Sequence, residues 1–128
     1  MSEPTNAILK AVYTRLSSAL SPVKVYDSVP QGAAYPYVVI ESIMGLQSDF
    51  LVSRKDEFFV YLSIWSQYKG QKQVVDIIAD IYDALHRTQL SMDTGRMIEC
   101  TVQEKRTIRD ADNLTFQGAL KLRIMVEH

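Results

Sequence analysis

Hydrophobic and polar residues alternate most regularly in the last third of the chain. The apolar and small residues of its second arm fall on one face, namely Phe116, Gly118, Leu120, Leu122, Ile124 and Val126, and Gln117, Lys121, Arg123 and Glu127 fall on the other. Ile98, Cys100 and Val102 repeat this spacing in the first arm. A period of two residues is typical of half-buried strands. The pattern predicts one long antiparallel hairpin around residues 110–113.

The register of this hairpin follows from parity, since both apolar sets must share a face. The loop should then hold an odd number of residues, such as residues 111–113, or the strands should contain a bulge. The predicted pairs are Val102 with Leu122, Cys100 with Ile124, Ile98 with Val126, Glu104 with Leu120, and Arg106 with Gly118. Twelve strand residues span roughly 40 Å, whereas the radius of gyration of such a domain is about 14 Å. The turn end should therefore project, either into solvent or onto a neighbouring molecule.

Two amphipathic helices are predicted from apolar residues at helical spacing. The first starts at Thr5 or Asn6 and ends at Ser21; its stripe is Ile8, Leu9, Val12, Leu16, Ala19 and Leu20. The second follows Gly70 and ends near Arg87; its stripe is Val74, Ile77, Ile78, Ile81, Tyr82 and Leu85.

The remaining apolar runs predict strands over residues 24–29, 35–41 and 57–66. The third run is apolar or aromatic on both faces, which favours a central strand that is covered on each side. The peptide bond before Pro36 is open to either isomer. Periodicity fails over residues 44–56, which indicates a long loop or a ragged hairpin.

The order of these elements predicts an α+β domain over residues 1–128. Two helices should pack on one face of a mostly antiparallel sheet of four or five strands that ends in the long hairpin. The edges of this open sheet must be protected, and neighbouring subunits are one means of covering them.

Composition favours an ordinary globular protein, with 47% hydrophobic and 23% charged residues and a net charge of -1. We therefore expect no specific nucleic-acid partner and no membrane association. The start of the chain has no leader-like pattern, which favours the cytosol. The single cysteine, Cys100, is expected to be buried and inert.

The sequence contains no pattern that predicts catalysis, a cofactor or a metal. The two histidines are His86 and His128, and His86 is better interpreted as a favourable residue at a helix C-terminus than as a general base. Asp76, Asp80 and Asp83 indicate a solvated helix face, and residues 110–113 are typical of a hairpin turn rather than of a calcium loop. The prediction is a non-enzyme.

Aromatic and basic residues suggest two binding surfaces, each with a simpler explanation. Phe59, Tyr61 and Trp65 could stack nucleic-acid bases, but alternate positions on a central strand more often belong to a core. The basic residues of the irregular segment and of the hairpin have acidic neighbours in sequence, and such mixed charge suits a protein contact better than a phosphate track.

Four segments taken in order resemble the tail-completion or tail-terminator proteins of long-tailed phages, prophages and gene transfer agents. They are the first helix with VYDSVP (25–30), YPYVVIE (35–41), VYLSIWS (60–66) running into the second helix, and a strand carrying Arg106, Asp110 and Asp112 before TFQG (115–118).

This resemblance implies a structural virion protein that is assembled in the host cytoplasm and located in the neck of the tail. It implies a hexameric ring that ends polymerisation of the tail tube and joins the tail to the head connector or stopper, with DNA passing through the lumen. Its partners are copies of itself, the tail tube protein and the connector. We place the contacts on the irregular segment and on the hairpin end: Asp49, Phe50, Leu51, Arg54, Lys55, Arg106, Arg109, Asp110 and Asp112. The alternatives are another neck protein, such as a head-closure protein, or a soluble ligand-binding domain that uses the aromatic strand and the irregular segment.

Overall fold

The computed structural model describes residues 4–49, 54–93, 95–109 and 114–127. Its elements are α1 (Thr5–Ala19), β1 (Lys24–Tyr26), β2 (Tyr37–Asp49), β3 (Arg54–Ser66), α2 (Lys72–Leu85), β4 (Arg96–Arg109) and β5 (Phe116–Glu127). The five strands form one sheet in the order β1-β2-β3-β5-β4. Only β1 and β2 are parallel, and the other neighbours are antiparallel. The predicted α+β fold with a C-terminal hairpin is confirmed.

Both helices pack on one face of the sheet, which we call the helix face. Most of the predicted apolar stripes of α1 and α2 join the alternate residues Val60, Leu62 and Ile64 of β3 in one buried cluster. Ala19 is the exception, because it lies at the end of α1 and is exposed. At Gly118 of β5, a Cβ atom would lie only 2.8 Å from Cγ1 of Val74 in α2. The absence of a side chain at Gly118 therefore lets α2 lie against the sheet.

The register of the C-terminal hairpin is confirmed at its centre and wrong at both ends. Val102 pairs with Leu122 and Cys100 with Ile124, as predicted. Irregularities of one residue lie between Met97 and Glu99 and between Val102 and Glu104, and they change the pairing on either side. Val126 consequently faces Met97 instead of Ile98, Leu120 faces Lys105 instead of Glu104, and Gly118 faces Thr107 instead of Arg106.

Bulges within β4, one of the two predicted possibilities, bring the apolar residues of both arms to the same face. Arg109 pairs with Phe116, so an even number of residues separates the paired ends of the two strands. Residues 111–113, the predicted three-residue loop, lie outside the described residues.

The expected projection of the hairpin is wrong. Strand β3 pairs with β5 from Ser66 opposite Phe116 to Lys55 opposite Glu127, so β5 lies inside the sheet along its length. Only the outer strand is open, and residues 103–109 of β4 are all exposed. The sheet is long as a whole because β2, β3, β4 and β5 are of similar length.

The irregular segment is the ragged hairpin of the two predicted alternatives, since β2 continues to Asp49 and β3 starts at Arg54. Its periodicity fails because residues 44–46 are exposed whichever face their side chains occupy. Strand β1 ends at Tyr26, three residues before the predicted end, and the peptide bonds before Pro22 and Pro36 are cis.

Candidate protein interface

The sheet face opposite the helices carries aromatic side chains and is not covered by another described element. We call it the open face. Phe59, Tyr61 and Trp65 lie there and are half-buried, whereas Val60, Leu62 and Ile64 between them face the helices and are buried. The prediction that both faces of β3 are covered is therefore wrong, as is the assignment of these aromatic residues to the core.

Polar groups on the open face are bonded to one another. The Trp65 indole N–H donates to Oγ of Ser63 at 3.1 Å, and the Ser63 hydroxyl donates to the Glu41 carboxylate. Arg123 pairs with Glu57 across the neighbouring strands. These bonds use charges and donors that a small ligand would otherwise engage.

The aromatic rings of this face are also engaged. The Lys121 ammonium lies 4.6 Å from the centroid of the Phe59 ring. At the β1 side, the rings of Tyr26 and Tyr35 lie 5.8 Å and 5.3 Å from that of Tyr37. Burial, followed by the neighbouring Tyr35, raises the pKa of Tyr37 above its ordinary value. A base-stacking platform needs free ring faces, and Phe59 does not offer one.

The outer edge of β4 is protected along its first half. The Val102 N–H donates to Nδ1 of His86 at 3.1 Å, the Cys100 carbonyl accepts from the Arg87 N–H at 2.6 Å, and the Ile98 carbonyl accepts from the Gln89 amide at 2.9 Å. Within the described part of the chain, no comparable cover lies along residues 103–109. We call this segment the β4 edge.

The opposite side of the sheet has a second free edge. Strand β1 pairs with β2 only from Tyr37 to Val39. Beyond it, residues 42–49 have β3 on one side and no described strand on the other. We call this segment the β2 edge. Met44 and Leu46 are 43% and 48% exposed, and a free edge whose only charged residue is Asp49 at its end invites pairing with another chain.

His86 has a structural role at this site, in agreement with its predicted place at a helix end. It is the C-cap residue of α2, and its ring stacks on Tyr82 at 4.3 Å while accepting the Val102 N–H. Lys105 lies 4.4 Å from the centroid of the Tyr82 ring. The histidine thus ties α2 to the protected half of β4.

The other chemical candidates are accounted for by the fold. Cys100 is fully buried, and burial raises the pKa of its thiol to about 12. Asp76, Asp80 and Asp83 lie on the exposed side of α2. Among the described residues, no group of three or more His, Cys, Asp or Glu is placed to hold a metal ion, and no helix is long and apolar enough to cross a membrane.

The predicted contact residues fall at two opposite ends of the sheet. Asp49 and Arg54 are paired at the end of the β2–β3 hairpin, and Lys55 follows there opposite Glu127. Arg106 and Arg109 lie in the β4 edge; Glu104 is 3.8 Å from Arg106, and Arg109 lies over the Phe116 ring. Phe50, Leu51, Asp110 and Asp112 lie outside the described residues.

These two groups do not form one site. The partner of Lys55 and the partner of Arg109 are eleven residue steps apart in β5, which corresponds to about 36 Å of strand. The sequence pattern does not single out the exposed apolar residues of the two free edges, which are Met44, Leu46 and Ile108. Two features of the sequence could have indicated them. Periodicity fails over residues 44–56, and Ile108 is an apolar residue within the charged first arm of the C-terminal hairpin.

Comparison with known proteins supports a single classification. The family model described as "Tail completion protein gp17" matches residues 8–127. The chain belongs to this tail completion family. One similar solved structure, a chain in the "Virion of native gene transfer agent (GTA) particle", superposes with a TM-score of 0.86 and 18% sequence identity, and the similarity covers the whole of both chains. At that identity the superposition establishes a common fold. No curated protein matches the sequence.

Proposed function

We propose that this chain is the structural protein that caps the head-proximal end of a phage-type tail tube. It ends tube polymerisation and joins the tail to the head connector, as a ring of six copies through which DNA passes without specific recognition. The supporting observation is the family match over nearly the whole chain, together with a fold whose open features are surfaces and edges. The proposal makes the chain a non-enzyme of the virion neck that is assembled in the host cytoplasm.

The shape of the subunit suits this role. A terminator must offer one surface to the last tube ring and a different surface to the connector, while its flanks contact neighbouring copies. The two hairpin ends lie about 36 Å apart along the sheet, so one subunit can reach two separate partners. We place the contacts with neighbouring copies, tube and connector on Asp49, Phe50, Leu51, Arg54 and Lys55 at one end and on Arg106, Arg109, Asp110 and Asp112 at the other.

Charge reversal tests these contact sites. The double variant Arg54→Glu/Arg109→Glu should fold but should be absent from particles, because each end then repels its partner's complementary charge. Circular dichroism and thermal unfolding check the fold, and immunoblotting of purified particles checks incorporation. The matched control is Lys10→Glu/Lys72→Glu, which reverses two exposed helix lysines. Normal incorporation of the Arg54/Arg109 variant would refute the site assignment.

The capping function itself is tested by deleting the gene in its source element and imaging the lysate by negative-stain electron microscopy. Filled heads beside unattached tails of irregular or excessive length are expected. Intact infectious particles would exclude the role. Co-sedimentation with tube protein rather than with capsid distinguishes a tail terminator from a head-closure protein.

A further inference from the structure

The two free edges of the sheet are matched in length and lie at opposite ends of its outermost long strands. The β2 edge has eight residues, 42–49, and the β4 edge has seven, 103–109. The first lies at the end of the sheet where Lys55 faces Glu127, and the second at the end where Ser66 faces Phe116. A strand edge with unpaired backbone groups is a template for another strand.

We propose that neighbouring copies of this chain join by antiparallel pairing of the β2 edge of one copy with the β4 edge of the next. This inference rests on the proposed ring and names its subunit contact. The interface is heterologous, since each copy uses a different edge on each side, and such a contact generates a ring when its rotation closes.

The direction of the backbone groups supports this contact. The Val102 N–H points outward, because it is bonded to His86. Along an antiparallel strand, residues that bond to the inner neighbour alternate with residues whose N–H and C=O groups point to the outer edge. Counted from Val102 across the bulge before Glu104, the groups of Lys105, Thr107 and Arg109 point outward from β4. The same alternation points those of Ile43 and Gly45 outward from β2.

These outward residues have their side chains on the helix face of the sheet. In β4, Lys105 lies over Tyr82 of α2, and the Thr107 hydroxyl donates to Gln71, the N-cap residue of α2. In β2, a Cβ atom at Gly45 would meet the ring of the buried Phe58. Residues that pair through hydrogen bonds in an antiparallel sheet share a face. Joining the two edges therefore keeps the helices of all copies on one side and the open faces continuous on the other.

One register pairs the whole β4 edge with described residues of β2 without disturbing either protected segment. Placing Gly45 opposite Thr107 puts residue 49 opposite residue 103 and residue 43 opposite residue 109. The His86 cap ends at Val102, immediately before this pairing begins, and β1 ends at Val39 of β2, beyond the point where the pairing ends. Neither cover has to move.

The side chains in this register are complementary. On the open face, Met44 lies opposite Ile108, which is itself 36% exposed, and Leu46 lies opposite Arg106. The β4 edge has three basic residues and one acidic residue, whereas the β2 edge has one acidic and no basic residue. Apolar burial and opposite net charge both favour the pairing of unlike edges over like edges.

The offset between neighbouring copies is compatible with a closed ring. Within one copy, Leu46 is level with Glu99 of β4, since both pair through Glu57 and Met125. The proposed partner, Arg106 of the next copy, lies six β5 residues further along β4, which is about 20 Å. Four strands span about 19 Å across the sheet. A ring with this offset has its strands tilted roughly 45° from its axis, close to the tilt of natural β-barrels.

Disulfide cross-linking tests the contact because the only native cysteine is buried. The double variants Met44→Cys/Ile108→Cys and Leu46→Cys/Arg106→Cys are supplied to the deletion strain, and purified particles are oxidised and analysed by non-reducing electrophoresis. A ladder that ends at a single closed oligomer is expected for at least one pair. The control is Val75→Cys/Ile108→Cys, because Val75 on α2 is as exposed as Leu46, at 48%, and should give no ladder.

Two lysine variants decide the outcome if the cysteines prevent incorporation. Leu46→Lys places a charge in the proposed contact, whereas Val75→Lys places it at a site of equal exposure outside it. We expect the first to lower incorporation at least tenfold and the second to leave it unchanged. Particles that contain the wild-type level of Leu46→Lys, or that contain the cysteine variants without a ladder, overturn the edge contact while leaving the capping function intact. Absence of the wild-type chain from particles overturns the capping function instead.

Discussion

Gly118→Ala tests whether the close approach of α2 to the sheet depends on a missing side chain. The added Cβ would lie 2.8 Å from Val74 Cγ1 and 3.1 Å from Ile64 Cδ1, and both neighbours are fully buried. Without this contact, alanine should stabilise, by about 0.4–1 kcal/mol from the unfolded chain and about 0.8 kcal/mol from methyl burial. Overpacking of a close-packed core instead costs about 1–3 kcal/mol.

The 2.8 Å contact with a fully buried β-branched side chain places the cost at the upper end of this range, so after subtraction of the gains the structure predicts a net destabilisation of about 1–2 kcal/mol. The melting temperature should fall by about 3–5 °C per kcal/mol for a chain of this length. Thermal unfolding followed by circular dichroism measures the change, and urea titration provides the free energy of unfolding.

A double-mutant cycle identifies the cause. Val74→Ala alone should destabilise, because it removes buried methyl groups. Combined with Gly118→Ala it should cost less than the sum of the single variants, by about 1 kcal/mol, since the clashing atom is gone. A neutral or stabilising effect of Gly118→Ala alone would refute the steric argument, and additivity within about 0.3 kcal/mol would show that Val74 is not the obstacle.

Two other predictions concern the protected half of β4. His86→Ala should lower the free energy of unfolding by about 1–3 kcal/mol, because the Val102 N–H loses its acceptor. In urea titrations, His86→Asn should recover part of this loss. Equal losses for the two variants would contradict the role of the hydrogen bond. Cys100 should not react with a thiol reagent at pH 8 in the native protein and should react fully in denaturant, since burial keeps its thiol protonated. As pH rises, the unfolded thiol ionises near its ordinary pKa of 9.0 while the folded thiol remains neutral until about 12, so this group's contribution to stability should fall between those values. Fast labelling of the folded chain at pH 8 would show that the site opens.

Much of the fold could be predicted from periodicity, because a strand or helix that packs on a core must repeat its apolar residues. The stripes of both helices and the alternation of β5 are of this kind, and each was assigned to the correct element. The centre of the hairpin register was correct for the same reason, since Val102 and Leu122 must share the buried face.

The errors lie where no core enforces a pattern. Residues 44–49 are strand because they pair with β3, although the side chains of residues 44–46 are all exposed and show no alternation. The bulges of β4 are invisible in the sequence, because a one-residue insertion on an edge strand does not alter composition. The pattern favours the core for Phe59, Tyr61 and Trp65, because an aromatic residue in a strand does not reveal which face the helices cover.

The sequence by itself thus determined the class of fold, the helix stripes and the family, all of which depend on local repetition and on the order of segments. Only the tertiary structure decided which face of the sheet stays open and which edges stay free. The free edges start where the cover of each outer strand stops. Strand β1 covers β2 as far as Val39, and residues 86–89 cover β4 as far as Val102. Such endpoints are set by contacts between segments far apart in the chain, and no local pattern encodes them.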